Sequence, residues 1–265
     1  MTSLLALFRI EAAAYLADRK LALLGAAHKL LLAGSQVFLW SALVGAEGTI
    51  VDGGHLSRID IVTYVLLATA LVSLAEFSVV DTINDRVLRG QAAVDVLRPP
   101  GFPSAVLVRE FARFVVGFAV HALPAVVVLG ALFGFTAPGP GRVAVAVLLV
   151  LGGWLLATLI GWCVGIAALR LLDTTQVKYA FQGVTALFSG ALVPLWFLPD
   201  ALRGLAEVLP FHLLFHAPLS VWLGLAGWAE IGGYFAGLAL WLCLTTPVAV
   251  ITWRWSRAAM VVHGG

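Results

Sequence analysis

Charge is what this chain has least of. Asp, Glu, Lys and Arg make up 11% of its 265 residues, against 62% hydrophobic, and the net charge is +2. Soluble domains carry about 25% charged residues, and no stretch here is polar enough to form a separate soluble domain. Lysine is scarcest: Lys20, Lys29 and Lys178 complete the set, and none follows a glycine. A phosphate-binding loop of G-x-x-x-x-G-K-[ST] form is therefore excluded, and G-x-G-x-x-G does not occur. Energy from ATP would have to come from another chain. The two cysteines, Cys163 and Cys243, both fall in apolar stretches, so neither a disulfide framework nor a metal motif is supported.

Long apolar runs fill the space that charge leaves. The length allows about six spanning helices of roughly 20 residues plus loops. The runs place spans near 22–46, 59–83, 106–135, 143–169, 179–198 and 231–253. The first turns of the third carry Arg109, Glu110 and Arg113 and are assigned to the interface. The opening segment is not a signal peptide, because Glu11 and Asp18 lie within and after its apolar part. It reads as an interfacial helix with Leu4, Leu7, Phe8, Ile10, Ala14 and Tyr15 on one broad face. Arg9, Asp18, Arg19 and Lys20 turn toward water.

Thirteen of the sixteen basic residues flank one side of these spans; Arg58, Arg142 and Arg203 flank the other. The positive-inside rule puts both termini in the cytoplasm, as an even number of spans requires. Six of the nine tryptophans (Trp40, Trp196, Trp222, Trp228, Trp253 and Trp255) fall at span ends, as interface anchors do. GxxxG occurs at Gly130/Gly134, Gly161/Gly165 and Gly233/Gly237, about as often as the glycine content gives by chance, so the motif carries little weight.

The most polar inner segment is DTINDRVLRGQAAVDVLRPPGFP, residues 81–103. The second helix continues to Arg89, with Asp85 and Arg89 four residues apart, and Gly90 ends it. QAAVDVL forms a second short helix, stopped by Pro99 and Pro100. Two readings fit: a docking element for a partner protein, or a solvated loop whose basic residues enforce topology.

Glu76 is the one carboxylate well inside a span, and Ser73 lies one turn before it. Burying such a group unpaired costs several kcal/mol. It either lines a substrate path or subunit interface, or forms an ion pair with Arg113 or Lys29. A proton relay would need more titratable groups at depth than His121 supplies. His212 and His216 have the i,i+4 spacing of metal ligands but lack a third, and imidazoles suit a boundary between lipid and water. Ser189-Gly190 is not the G-x-S-G of a rhomboid protease.

The segment LFSGALVPLWFLPDALRGLAEVLPFHLLFHAPLSVWLG, residues 187–224, is apolar yet holds four prolines and the charged break DALRGLAE. Non-helical backbone near membrane depth survives where protein or water satisfies it. The segment therefore reads as a span ended by Pro194 and Pro199, a short outer helix over 200–209, and a return over 210–224.

Three features resemble the permease subunits of ABC-2 type transporters, in particular a six-span branch of about 260 residues. They are the G-x-x-x-x-L-L-R-P character of Gly90 to Pro99, the SGA…P…LP…LP-F…P pattern of the 187–224 segment, and a short basic tail ending in Gly264-Gly265. The resemblance implies an all-α polytopic membrane protein of six transmembrane helices. An N-terminal elbow helix (3–19), a coupling loop (84–98) and an extracellular re-entrant hairpin (199–226) between helices 5 and 6 complete it.

It also implies a non-catalytic subunit of a bacterial plasma-membrane exporter, with no cofactor on this chain and ATP and Mg on a partner P-loop ATPase. A second permease copy or sibling, and membrane lipid, are the other partners; nucleic acid is not one. Asp85, Arg86, Arg89, Asp95 and Arg98 would couple to the ATPase. Gln36, Trp40, Ser73, Glu76, Phe77 and Phe188, on spans one, two and five, would line the path at the dimer interface. Trp196, Phe211, His212, Phe215 and His216 would form the outer gate, where the two imidazoles depart from the family pattern and point to pH sensitivity. The rival readings are an ion-coupled secondary carrier and a non-transporting scaffold.

Overall fold

The computed structural model describes residues 2–44, 48–51, 54–89, 91, 101–171 and 174–262. Helix α1 (Thr2–Ala17) is separated from α2 (Arg19–Val44) by Asp18 alone. The Asp18 carboxylate accepts from Leu21 N at 3.0 Å, which satisfies an orphan donor at the start of α2. A small antiparallel ribbon follows, β1 (Thr49–Val51) on β2 (Gly54–Leu56), with Ile50 opposite His55. The rest of the described secondary structure is helical, as the all-α class expects. Ser57 and Asp60 then form a reciprocal capping box that starts α3 (Arg58–Ala70).

Among the described residues, four helical stretches are long and apolar enough to cross a bilayer: Arg19–Val44, Phe102–Phe133, Pro140–Ala167 and Trp228–Ser256. The expected second and fifth spans are not single helices. Helix α3 stops at Ala70, passes through a 3-10 turn (Val72–Ala75), and gives way to α4 (Ser78–Leu88). Phe77, between them, has φ +47°, a rare conformation for a bulky residue. No glycine or proline marks the break. Tertiary packing causes it instead: Phe77 buries against Gly161 and the Phe181 ring. The freed Glu76 carbonyl accepts from Gln182 Nε2 at 2.7 Å.

Helix α5 (Phe102–Gly117) follows Gly101 and begins with proline at its first turn. It continues through a π turn (Phe118–Ala122) into α6 (Leu123–Phe133). Pro124 has no N–H, and its ring would clash with the carbonyl of residue 120 in a regular α-helix; the wider turn absorbs both defects. Helix α7 (Pro140–Leu171) crosses the whole molecule, and α8 (Thr174–Phe188) follows. Helix α8 ends ten residues before the expected close of the fifth span, at Ser189-Gly190 and not at the prolines. Gly190 has φ +86°, and a Cβ there would lie 2.6 Å from the Tyr64 hydroxyl.

The next segment matches expectation in outline. Helix α9 (Asp200–Val208) meets a 3-10 turn (Pro210–Leu213) and α10 (His216–Trp222) at a bend of 76°. Helix α11 (Trp228–Val262) closes the described chain.

Helix α7 is the packing axis. At Gly153 it meets the Leu213 carbonyl and Leu214 backbone of the hairpin. Two turns on, a Cβ at Gly161 would lie 2.5 Å from Val79, and at Gly165 3.3 Å from the Val80 backbone. Of the three GxxxG pairs, Gly161/Gly165 is therefore a seam against α4, whereas Gly233 faces open space. Helix α1 lies on α5 through Phe8 and Phe111, with Leu4, Leu7 and Tyr15 half-buried. Ile10 and Ala14 face outward, so the buried face is narrower than expected.

Candidate functional site

Two cavities and one cluster of rings hold most of the sequence-predicted residues. The 3-10 turn of the broken span divides the cavities. Val72 and Ala75 face one of about 130 Å³; Ser73 and Leu74 face another of about 240 Å³. Gln36 and Trp40 line the smaller cavity with Tyr64, while Glu76 and Phe77 line the larger. Phe188 lines neither and packs against the core. The residues expected along one path thus lie in separate chambers, because the second span unwinds between them.

The larger cavity carries the charged side chains. Lys29 of α2 and Glu76 approach at 3.5 Å; the lysine side chain is 13% exposed and the carboxylate 54%. Of the two cations proposed as partners for Glu76, Lys29 takes the place. Arg113 turns to Glu110, at 3.3 Å, and to the Thr82 hydroxyl, at 2.6 Å. Glu110 itself is buried. It accepts from Thr82 Oγ1 at 2.6 Å and from the Ser78 hydroxyl. Next to it, Arg109 donates to Glu11 of α1 at 2.8 Å. Arg109 and Glu110 are buried within the protein, whereas the Arg113 side chain is 39% exposed.

Glu11, Arg109, Glu110, Ser78 and Thr82 were missed as functional candidates. A signal was present: Ser78 and Thr82 are four apart and share one helix face, and Glu110 and Arg113 are three apart on another.

On the opposite wall, the Tyr15 hydroxyl and His121 Nδ1 are 3.3 Å apart. Burial, then the Glu76 carboxylate, push the Tyr15 phenol above its ordinary value, with Arg113 opposing. The phenol is therefore neutral, and the other ring nitrogen, His121 Nε2, has no hydrogen-bond partner among the described residues. That ring tip rests on α2, where a Cβ at Gly25 would lie 2.6 Å away.

The five residues expected at the outer gate come together as packing. Trp196 lies between Tyr64 and His216, with ring centroids 5.2 and 5.0 Å apart. Tyr234 of α11 approaches both His216 and His212 at 6.4 Å. Phe211, His212, Phe215 and His216 are all buried, so the imidazoles sit within protein and not at an open boundary. His212 Nδ1 donates to the Leu209 carbonyl at 2.7 Å. The start of the hairpin is tied from two sides: the Tyr64 hydroxyl donates to Gly190 O at 2.8 Å, and His216 N donates to Ser189 O at 3.1 Å.

At the far end of α4, Asp85 and Arg89 are exposed and Arg86 is half-buried. Arg89 N donates to Asp85 O at 3.0 Å. Asp95 and Arg98, the Gly90 cap, residues 92–97 of the second short helix, Pro99, Pro100 and the Gly264-Gly265 tail lie outside the described residues. Among the described residues no group of three or more His, Cys, Asp or Glu is placed to hold a metal.

Long apolar helices, helices interrupted at a cavity with charged side chains and a bent hairpin define a multi-pass membrane protein of transporter type. The family model described as ABC-2 family transporter protein matches residues 30–258, and the chain belongs to that family. No curated protein matches it.

Proposed function

We propose that this chain is the membrane permease subunit of an ATP-driven exporter that moves a hydrophobic or amphipathic substrate. The observation that carries the reading is family membership over 229 of 265 positions. The absence of a phosphate-binding loop supports placing ATP and Mg on a separate P-loop ATPase. Two permeases, identical or sibling, form the unit in a bacterial plasma membrane, with both termini cytoplasmic.

In this reading the chain crosses six times. Helices α3 and α8 are about 20 and 22 Å long, short of the ~30 Å core. Their spans are completed by α4 and by the 189–199 segment. Helix α1 is the elbow, the 199–226 hairpin is re-entrant from the outside, and its ring cluster is the outer gate. The 84–98 element, whose first residues form the end of α4, seats in the ATPase through Asp85, Arg86, Arg89, Asp95 and Arg98.

Co-expression with a candidate P-loop ATPase tests the proposal. The pair should co-purify, and reconstituted vesicles should show vanadate-sensitive transport. Charge reversal at Asp95 or Arg98 should uncouple hydrolysis from transport. Transport that ignores vanadate and collapses on Glu76→Gln would instead establish an ion-coupled carrier.

A further inference from the structure

Two departures from regular helix meet at the larger cavity. The break after α3 brings Ser73 and Glu76 to its wall, and the π turn brings Phe118 and His121; the Lys29–Glu76 pair lies on the same wall. Broken helices and π turns in membrane proteins are tolerated where they line a polar chamber, and both recur at binding sites. Phe77 is strained, at φ +47°, in a form that persists where packing enforces it. This chamber lies within a single copy of the chain, bounded by α2, the broken span, α5 and α7.

The two acid–base pairs in it differ. Glu110 is saturated: Thr82, Ser78 and Arg113 occupy its oxygens. That pair is a fixed wall. Lys29 and Glu76 touch at one point, at 3.5 Å, the outer limit of hydrogen bonding. A ligand can separate them without disturbing the wall. A cation on Glu76 alone would strand Lys29, whose side chain is 13% exposed, which is costly, whereas Glu76, 54% exposed, keeps water on its open side. A ligand carrying both signs replaces each partner for the other.

Beside this chamber lies an apolar groove of about 250 Å³, bounded by Leu67, Val115, Val147 and Leu219. Phe114 and Phe118 are walls of both. A chamber with charged side chains that shares a wall with an apolar groove suits a headgroup joined to a chain.

We propose that the chamber binds the zwitterionic headgroup of an amphiphile, a primary ammonium beside a phosphate as in phosphatidylethanolamine. The ammonium is held by Glu76 and the phosphate by Lys29, with the chain in the groove past Phe114 and Phe118. The inference goes beyond ATP-driven transport and does not depend on it.

The test uses the full-length protein purified in its assembly, without nucleotide, and exchanged into discs of equal phosphatidylethanolamine and phosphatidylglycerol. Lipid retained after delipidation is counted by native mass spectrometry. The expected result is retention of phosphatidylethanolamine over phosphatidylglycerol by roughly tenfold, the scale of one charge-assisted hydrogen bond. Glu76→Gln should abolish the preference while leaving phosphatidylglycerol retention intact. The exchange of Lys29→Glu with Glu76→Lys should restore it. Equal retention of both lipids by the unmodified protein overturns the proposal, whatever the variants do. Displacement by glycerophosphoethanolamine as readily as by the intact lipid overturns the role of the groove. Because no ATPase activity is read, failure here is separate from failure of the exporter reading.

Discussion

Two regions of the molecule are built from opposite materials. Around Gly190 the chain is held by aromatic rings and by side chains bonded to backbone: Tyr64 on Gly190 O, His216 N on Ser189 O, His212 on Leu209 O. Around Glu110 it is held by charge and hydroxyl contacts that join α1, α4 and α5. Ring packing is short-ranged and has one arrangement that fits. Ion pairs act over a longer range and can exchange partners. The hairpin region and the Glu110 wall are therefore fixed, and the loose Lys29–Glu76 pair is the part able to respond to a bound group.

This contrast can be broken by substitution. The largest loss is expected from Glu110→Ala, about 3 kcal/mol, because the change removes the buried acceptor of Ser78, Thr82 and Arg113. Unfolding in a denaturing detergent series measures it. A loss smaller than that of any hairpin variant would invert the comparison.

Gly190→Ala comes next, at roughly 2 kcal/mol, since it adds a Cβ at positive φ against the Tyr64 hydroxyl. The same unfolding series measures it. Tyr64→Phe removes a single hydrogen bond to Gly190 O and is expected to cost about 1 kcal/mol. A cost above that of Gly190→Ala would mean that the tether, and not the backbone turn, holds the hairpin.

The smallest effect belongs to Lys178→Gln. Its partner Asp81 is more than half exposed, and such pairs contribute under about 1 kcal/mol. Thermal stability in detergent should barely move, and a large drop would extend the charged region to α8.

Much of the architecture was written in apolar run length. The Pro140–Ala167 and Trp228–Ser256 helices fall close to the runs that foretold them, and Pro199 and Pro210 bracket α9 as read. The break in the second span was invisible, because ALVSLAEF contains neither glycine nor proline. It arises from a distant partner, Gly161, which opens a slot for Phe77, and from Gln182, which takes up a carbonyl the helix no longer uses. Periodicity within a segment cannot report a slot on another helix. Glu76 was singled out by its depth, and its pairing with Lys29 was one of two options. Glu110 escaped notice because it stands beside two arginines near a helix start, a pattern that resembles an interface from sequence alone. The separation of Gln36 and Trp40 from Ser73 and Glu76 followed from the same unseen break.

Gln182 has a mechanical consequence. It occupies the rung that a continuous second span would close with its own backbone. A 3-10 residue rises about 2.0 Å and an α residue about 1.5 Å. Rewinding Val72–Ala75 into the α form would draw α4 in by about 2 Å and turn it about its axis. The second span then behaves as a turnbuckle whose setting Gln182 holds, with Asp85, Arg86 and Arg89 at the rod's free end.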